Sequence, residues 1–139
     1  MATLTGSMAA STVVPRGGIG LFNIVLTHTS TGTISAGDTV LLGKIATGIT
    51  ILDGYITTES AATETNDLGV GIGASLVNLL AQTSSSTGAL VRFAGPGLPY
   101  TVSVSDDAAV RFEYVKVNFD GEFSTTAQIK LVLFCTCDP

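Results

Sequence analysis

The sequence of 139 residues contains no tryptophan, one histidine and two cysteines, and only 12% of its residues are charged. Without tryptophan, and with only three tyrosines, it offers little aromatic surface on which sugar rings could stack. A single histidine leaves one candidate general base of that type. Charge is scarce for a soluble domain while 45% of the residues are hydrophobic, which favours an oligomer or a member of a larger assembly.

Positive charge is also scarce, because six Lys and Arg residues stand against eleven Asp and Glu, giving a net charge of −5. The basic residues are scattered along the chain, so none of them forms a patch that could neutralise nucleic-acid phosphates. We therefore expect no nucleic-acid partner. The basic residues are Arg16, Lys44, Arg92, Arg111, Lys116 and Lys130.

Long hydrophobic runs are missing as well, since Ser, Thr, Gly and Asp interrupt every stretch before about 18 apolar residues. We expect no membrane partner, and the apolar content argues against intrinsic disorder. The first residues show no basic segment followed by an apolar one, so we expect no secretion signal. Cys135 and Cys137 would point to one face of a strand, too far apart for an easy disulfide, and are interpreted as small buried hydrophobes kept reduced.

The chain divides into an extended arm and one domain. Residues 1–18 are small, polar and aperiodic, which predicts an arm that a partner holds in place. Residues 19–139 read as one β-sandwich domain, in which short strands alternate with Gly-rich turns. About eight antiparallel strands favour a sandwich or barrel, and specifically a jelly roll. The strands are predicted at 21–28, 38–45, 49–58, 67–73, 89–94, 100–104, 109–119 and 123–136.

Two local signals refine this picture. Residues 74–82 place Leu76, Leu79 and Leu80 at helical spacing, which predicts one short helix. Asp120-Gly121 lies between the two longest strands, and this dipeptide predicts a β-hairpin that joins them.

Several strands carry apolar residues at both parities. Ile49, Ile51 and Tyr55 fall on one face of the third strand, with Leu52 and Ile56 on the other. In the last strand Val132 and Phe134 oppose the face formed by Ile129, Leu131 and Leu133. A small sandwich buries one face of each sheet, so the second face is expected to meet another chain.

Two motifs that could carry chemistry have simpler structural explanations. Gly69 to Ala74 matches a dinucleotide turn in spelling, but no Asp or Glu follows between Ala74 and Ser105 to hold a ribose. His28, with Ser30 and Asp38 near it in sequence, is the weak candidate for a hydrolase triad. We expect neither a catalytic residue nor a cofactor.

Carboxylates are the residues that could serve a glycosidase or bind a metal ion. Asp53 and Glu113 lie in strands, and Glu113 is expected to pair with Arg111, Lys116 and Lys130 across strands rather than to act as an acid. The acidic loop at 59–67 could take calcium, although its spacing fits no EF-hand. We predict no metal site. The glycosidase candidates are Asp53, Glu59, Glu64, Asp67, Glu113 and Glu122.

The order of motifs resembles small virion proteins of tailed bacteriophages. The segment 34–45, with Gly37-Asp38, leads into Thr47-Gly48 and a strand ending at Tyr55; Asp67-Leu-Gly-Val-Gly71 and Gly97-Leu-Pro-Tyr100 follow. Ala46-Thr47 stands where the family pattern has a proline. The resemblance implies a capsid cement or decoration protein: a β-sandwich, usually a homotrimer and otherwise a dimer, bound outside the head shell.

From the resemblance and the doubly apolar strands together we predict a non-enzymatic structural protein that binds the major capsid protein and itself. It would act on the capsid exterior of a virion assembled in the bacterial cytoplasm. The alternative is a head-fibre or tail-tip module whose loops 29–37 and 59–66 bind a host surface glycan. The predicted capsid or subunit contacts are Val13, Val14, Pro15, Arg16, Leu52, Ile56, Val132 and Phe134.

Overall fold

The computed structural model of the chain describes residues 3–5, 12–13, 20–30, 33–59, 65–75, 77–86, 88, 90–93, 97–102, 112–121 and 128–137. Within these ranges every regular element is a β-strand. None of the described segments is a helix of the length and apolarity that crossing a membrane requires. The strands are β1 (Thr3–Thr5), β2 (Thr12–Val13), β3 (Gly20–Thr29), β4 (Thr39–Ala46), β5 (Ile49–Glu59), β6 (Thr65–Ile72), β7 (Leu80–Ser86), β8 (Leu90–Arg92), β9 (Tyr100–Thr101), β10 (Phe112–Phe119) and β11 (Gln128–Cys137).

These strands form two sheets. The first has the order β1-β4-β10-β6-β7, with β2 also paired to β4, and the second has the order β3-β11-β5-β8, with β9 also paired to β5. Each sheet is four strands wide if the short strands β1 and β2 are left out. In the second sheet, β8 and β9 both pair with β5 and together form the fourth strand. Consecutive strands from β3 to β6 alternate between the sheets, as in a jelly roll. The predicted all-β antiparallel sandwich is confirmed.

One apolar core lies between the sheets. Leu26 of β3 and Leu131 of β11 enter it from the second sheet, and Val70 of β6 and Val117 of β10 enter it from the first. All four are fully buried. In β10, buried and half-buried side chains alternate from Val115 to Phe119, as the two-residue period of a strand requires. Burial of this inner layer is the main source of stability for the domain.

The hairpin predicted at Asp120-Gly121 is wrong. β10 pairs with β4 and β6, whereas β11 pairs with β3 and β5, so the two strands lie in opposite sheets. The Asp120 N–H donates to the Asp67 carbonyl at 2.8 Å, which holds the start of the connection beside β6. Both strands bury an aliphatic row, and placing the rows in opposite sheets lets them face each other. Asp-Gly indicates a tight turn but does not determine which strands pair.

The short helix predicted over 74–82 is also wrong. Bends at 77–79 lead directly into β7. The Asn78 side chain takes the place of a strand neighbour, because its Oδ1 accepts from the Ile72 N–H at 2.9 Å and its Nδ2 donates to the Ile72 carbonyl at 3.3 Å. The Leu79 N–H then donates to the Val70 carbonyl at 3.0 Å. Leu79 and Leu80 are buried in a hairpin with β6, so sheet pairing overrides their helical spacing.

A bulge in β5 changes which residues face the core. Ile51 pairs with Cys135 and Asp53 pairs with Phe134, so Leu52 has no partner in β11. The extra residue reverses the parity of the strand beyond it. Leu52 is exposed, whereas Ile56 is fully buried in the core with Ile51. The predicted division of this strand into two faces is therefore wrong for Ile56, which faces the core, and for Tyr55, which faces away from it.

The described parts of the N-terminal segment lie beside β4. β1 pairs with it in parallel, with Thr3 opposite Thr39, and β2 does so with Thr12 opposite Lys44. The division into an arm over 1–18 and a domain over 19–139 stays a prediction. Val14, Pro15 and Arg16 lie outside the described residues, and Val13 is described only as part of β2.

Candidate interaction surface

His28 and Ser30 lie at one end of the second sheet, and the structure does not join them as a catalytic pair. The His28 Nδ1 and the Ser30 Oγ are both buried, and neither has a hydrogen-bond partner in the structure. Burial lowers the pKa of His28 below its ordinary value, because desolvation disfavours the imidazolium. Asp38 stabilises the turn before β4, where its Oδ2 accepts a hydrogen bond from the Ser35 N–H at 3.0 Å. The arrangement lacks the nucleophile–base bond that a triad uses.

The carboxylates are held in local contacts. Asp53 accepts from the Gly54 N–H at 2.8 Å and from Arg92 Nη2 at 2.8 Å, and these two bonds hold the pKa of Asp53 below its ordinary value. Glu113 Oε2 accepts from the Tyr100 hydroxyl at 2.6 Å. These contacts occupy the two strand carboxylates that the sequence offers as acids.

The predicted group of Arg111, Glu113, Lys116 and Lys130 is not brought together in one place. Lys116 belongs to β10 in the first sheet and Lys130 to β11 in the second, and Arg111 lies outside the described residues. The two lysines point away from the core on opposite sides of the sandwich, at positions that alternate with buried Val117 and Leu131. The predicted network is therefore wrong for Lys116 and Lys130, whereas the pairing of Arg111 with Glu113 stays a prediction.

The Gly69–Ala74 motif lies in an antiparallel hairpin. β6 pairs antiparallel with both β10 and β7, whereas a dinucleotide turn needs a parallel βαβ unit. Of the acidic loop, residues 60–64 lie outside the described ranges. In the part of the chain that is described, no three His, Cys, Asp or Glu side chains are grouped to hold a metal ion.

Among the described residues, most exposed large hydrophobic side chains lie on the outward side of the second sheet, which we call the outer face. It carries four of the exposed large hydrophobic side chains: Leu21 (81% exposed), Leu90 (55%), Val25 (45%) and Leu52 (40%). Leu21 and Val25 project from β3, Leu52 from the β5 bulge and Leu90 from β8. They span the sheet from its first strand to its last, so the surface is continuous across the sheet and not a single exposed residue.

Aromatic and aliphatic residues fill the middle of the outer face. The rings of Tyr55 and Phe134 lie with centroids 6.1 Å apart at an angle of 50°. Val132 is flanked in register by Val25 on one side and Tyr55 on the other, which leaves it largely covered. Among the predicted contact residues, Leu52, Val132 and Phe134 thus lie on this face together, and Ile56 lies beneath it.

Polar residues border the apolar part of the outer face. A shallow depression of about 450 Å³ is lined by Val25, Thr27, Thr57, Glu59, Gln128 and Lys130. At the other side, Arg92 and Asp53 form an exposed ion pair of 2.8 Å. An apolar centre with a polar, charged rim is the composition of protein–protein interfaces.

The outward side of the first sheet has a different character. Lys44 Nζ lies 4.6 Å from the centroid of the Phe112 ring and 5.7 Å from that of Tyr114. The two rings meet edge to face at 5.3 Å. This cation lies over aromatic surface on the outward side of the first sheet.

Two solved structures share the fold of this chain. A chain of the Ralstonia phage GP4 capsid matches with a TM-score of 0.76 and 17% identity, covering 99% of this chain and 99% of that one. A chain of the cyanophage Pam1 capsid asymmetric unit matches with a TM-score of 0.63 and 17% identity, covering 91% and 92%. No protein-family model and no curated protein matches the sequence. The likeness establishes a shared fold along nearly the whole chain.

The sequence analysis did not identify Leu21, Val25 and Leu90 as residues of the outer face. For β3 the signal was present, because Leu21 and Val25 alternate with Phe22, Ile24 and Leu26 and are apolar although they belong to the opposite face. Leu90 gave no comparable signal, since β8 is only three residues long.

Proposed function

We propose that this chain is a non-enzymatic structural protein of a bacteriophage virion. It binds the outside of the capsid as a homo-oligomer and stabilises the shell by bridging major capsid proteins. The observation that carries the proposal is the match to a chain of the Ralstonia phage GP4 capsid, with a TM-score of 0.76 over 99% of both chains. The resemblance of the Gly37-Asp38 and Asp67-Leu-Gly-Val-Gly71 segments to cement proteins supports the same role.

The mechanism is burial of apolar surface between neighbouring proteins. An interface of about 1,600 Å² contributes on the order of tens of kcal/mol before the cost of association is subtracted. Because a shell repeats each binding position many times, modest affinity per copy is sufficient. The outer face, with Leu52, Val132 and Phe134, and the arm residues Val13, Val14, Pro15 and Arg16 supply the capsid or subunit contacts, and assembly takes place in the host cytoplasm.

The proposal is tested by co-sedimenting the purified protein with capsid shells from the same source that lack it. We expect saturable binding, with the number of bound copies matching the count of one kind of icosahedral position. Deletion of residues 1–18 is expected to weaken binding; unchanged binding would remove the arm from the mechanism. Absence of binding to shells would overturn the proposal, and specific hits on a glycan array would then favour a fibre or tail-tip module.

A further inference from the structure

We propose that the outer face is the surface through which copies of this chain bind one another. The proposal deepens the function given above and rests on its homo-oligomeric part. It assigns the outer face to a second copy and leaves shell binding to other parts of the molecule. Among the exposed large hydrophobic side chains of the described residues, Val77 is the one that lies away from this face.

The charge distribution indicates a second copy as the occupant. Among the described outward residues of the second sheet, two are acidic (Asp53 and Glu59) and two are basic (Arg92 and Lys130), so the face has no net charge. The net charge of −5 is therefore carried by residues other than these four. Two such chains repel each other through most orientations, and the outer face is a surface on which they can meet without that repulsion.

The pattern of charge is also self-complementary. Lys130 and Glu59 line the same depression, and Arg92 and Asp53 form a pair at the other side of the face. When two copies meet through this face, the acidic groups of one can lie opposite the basic groups of the other. A face with charges of one sign would repel a second copy of itself. The outward side chains of β3 include no acidic or basic group, and Leu21 and Val25 alternate there with the polar Asn23 and Thr27.

The size of the face suits an interface between copies. Four strands at about 4.8 Å spacing and ten residues at about 3.3 Å each give an area of roughly 600 Å². Two such faces bury about 1,200 Å² in total, which is the lower end of the range for specific protein–protein interfaces. Tyr55 and Phe134, packed together in the middle, are the residue types that anchor such contacts.

The experiment is sedimentation velocity on the full chain, without shells, from about 1 to about 100 µM. Val25→Glu and Leu90→Glu place a carboxylate at opposite sides of the face. Val77→Glu is the matched control, because it removes an exposed valine and adds the same charge away from the face. Circular dichroism and urea denaturation establish that each variant is folded before its mass is compared.

We expect the wild type and Val77→Glu to be oligomers, and both face variants to dissociate with a dissociation constant raised about 10- to 30-fold or more. A monomeric wild type at about 100 µM, or oligomers that persist equally in all three folded variants, would overturn the proposal. Shell binding is measured separately. A wild-type monomer that still binds shells contradicts this inference and the homo-oligomeric part of the proposed function, but not capsid binding. An oligomer that is lost in the face variants but does not bind shells supports this inference and contradicts capsid binding.

Discussion

The Tyr100 hydroxyl donates a hydrogen bond of 2.6 Å to Glu113 Oε2 and thereby joins the two sheets at one end of the sandwich. Tyr100 belongs to β9 in the second sheet and Glu113 to β10 in the first. Both side chains are only partly exposed, so the bond adds a polar link between two layers that share an apolar core. A charged acceptor makes such a bond stronger than one between neutral groups.

Removal of this hydroxyl is expected to destabilise the domain. Tyr100→Phe keeps the ring against the core and should lower the free energy of unfolding by about 1–3 kcal/mol, because Glu113 loses a donor. Urea denaturation measures the change. Tyr55→Phe is the control, since its ring packs on Phe134 on the outer face. Equal effects of the two substitutions would show that the bond between the sheets contributes nothing specific.

Gly73 is expected to tolerate no side chain. Its φ of +69° is in the left-handed region, and a Cβ would overlap Glu113 Oε2 and approach the Tyr100 hydroxyl at 3.3 Å. Gly48 has a φ of +90° and open space around it, so a substitution there measures the cost of the backbone conformation without a steric clash. We expect Gly48→Ala to cost about 1–2 kcal/mol and Gly73→Ala clearly more. Chemical denaturation of both variants decides this, and a larger loss for Gly48→Ala would contradict the packing described for Glu113.

Acid is expected to destabilise the fold through His28. Its folded-state pKa lies below the ordinary value of 6.5, so the unfolded chain binds the proton more readily. The contribution of neutral His28 to the free energy of unfolding is fully present above pH 6.5 and is lost as the pH falls through the lowered folded-state pKa. Unfolding free energies at about pH 7.5 and about pH 5 should differ less in His28→Gln than in the wild type. An identical difference in both proteins would contradict the burial of His28.

Cys135 is expected to be unreactive in the folded protein. Its side chain is 1% exposed, and burial raises the pKa of its thiol to about 12, so the reactive thiolate is scarce. In a Cys137→Ser variant, in which Cys135 is the remaining thiol, a thiol reagent should label nothing until denaturant is added. Stoichiometric labelling of the folded variant within minutes would show that the core opens at β11.

The sequence predicted most strands well, because their apolar residues recur at period two and Gly-rich turns separate them. The predicted strands at 49–58 and 67–73, for example, correspond to β5 (Ile49–Glu59) and β6 (Thr65–Ile72). β7 was missed because Leu79 and Leu80 occur at helical spacing. The bonds from the Asn78 side chain to Ile72, which precede the strand, leave no trace in the hydrophobic pattern. Pairing partners are likewise set by the whole sandwich, which explains the failure at Asp120-Gly121.

The candidate surface was only half predictable. Leu52, Val132 and Phe134 could be assigned to a second face from parity alone, and the structure places them there. The burial of Ile56 could not be predicted, because a single bulged residue at Leu52 reverses the parity and no residue type in the segment requires a bulge there.

The measurement that tests the central claim most directly is the thermal stability of capsid shells that lack this protein, before and after the purified protein is added back. The account predicts that shells with bound protein break open at a higher temperature, and that the gain increases with occupancy until binding saturates. Shells that break open at the same temperature with and without bound protein would contradict a role in stabilising the capsid.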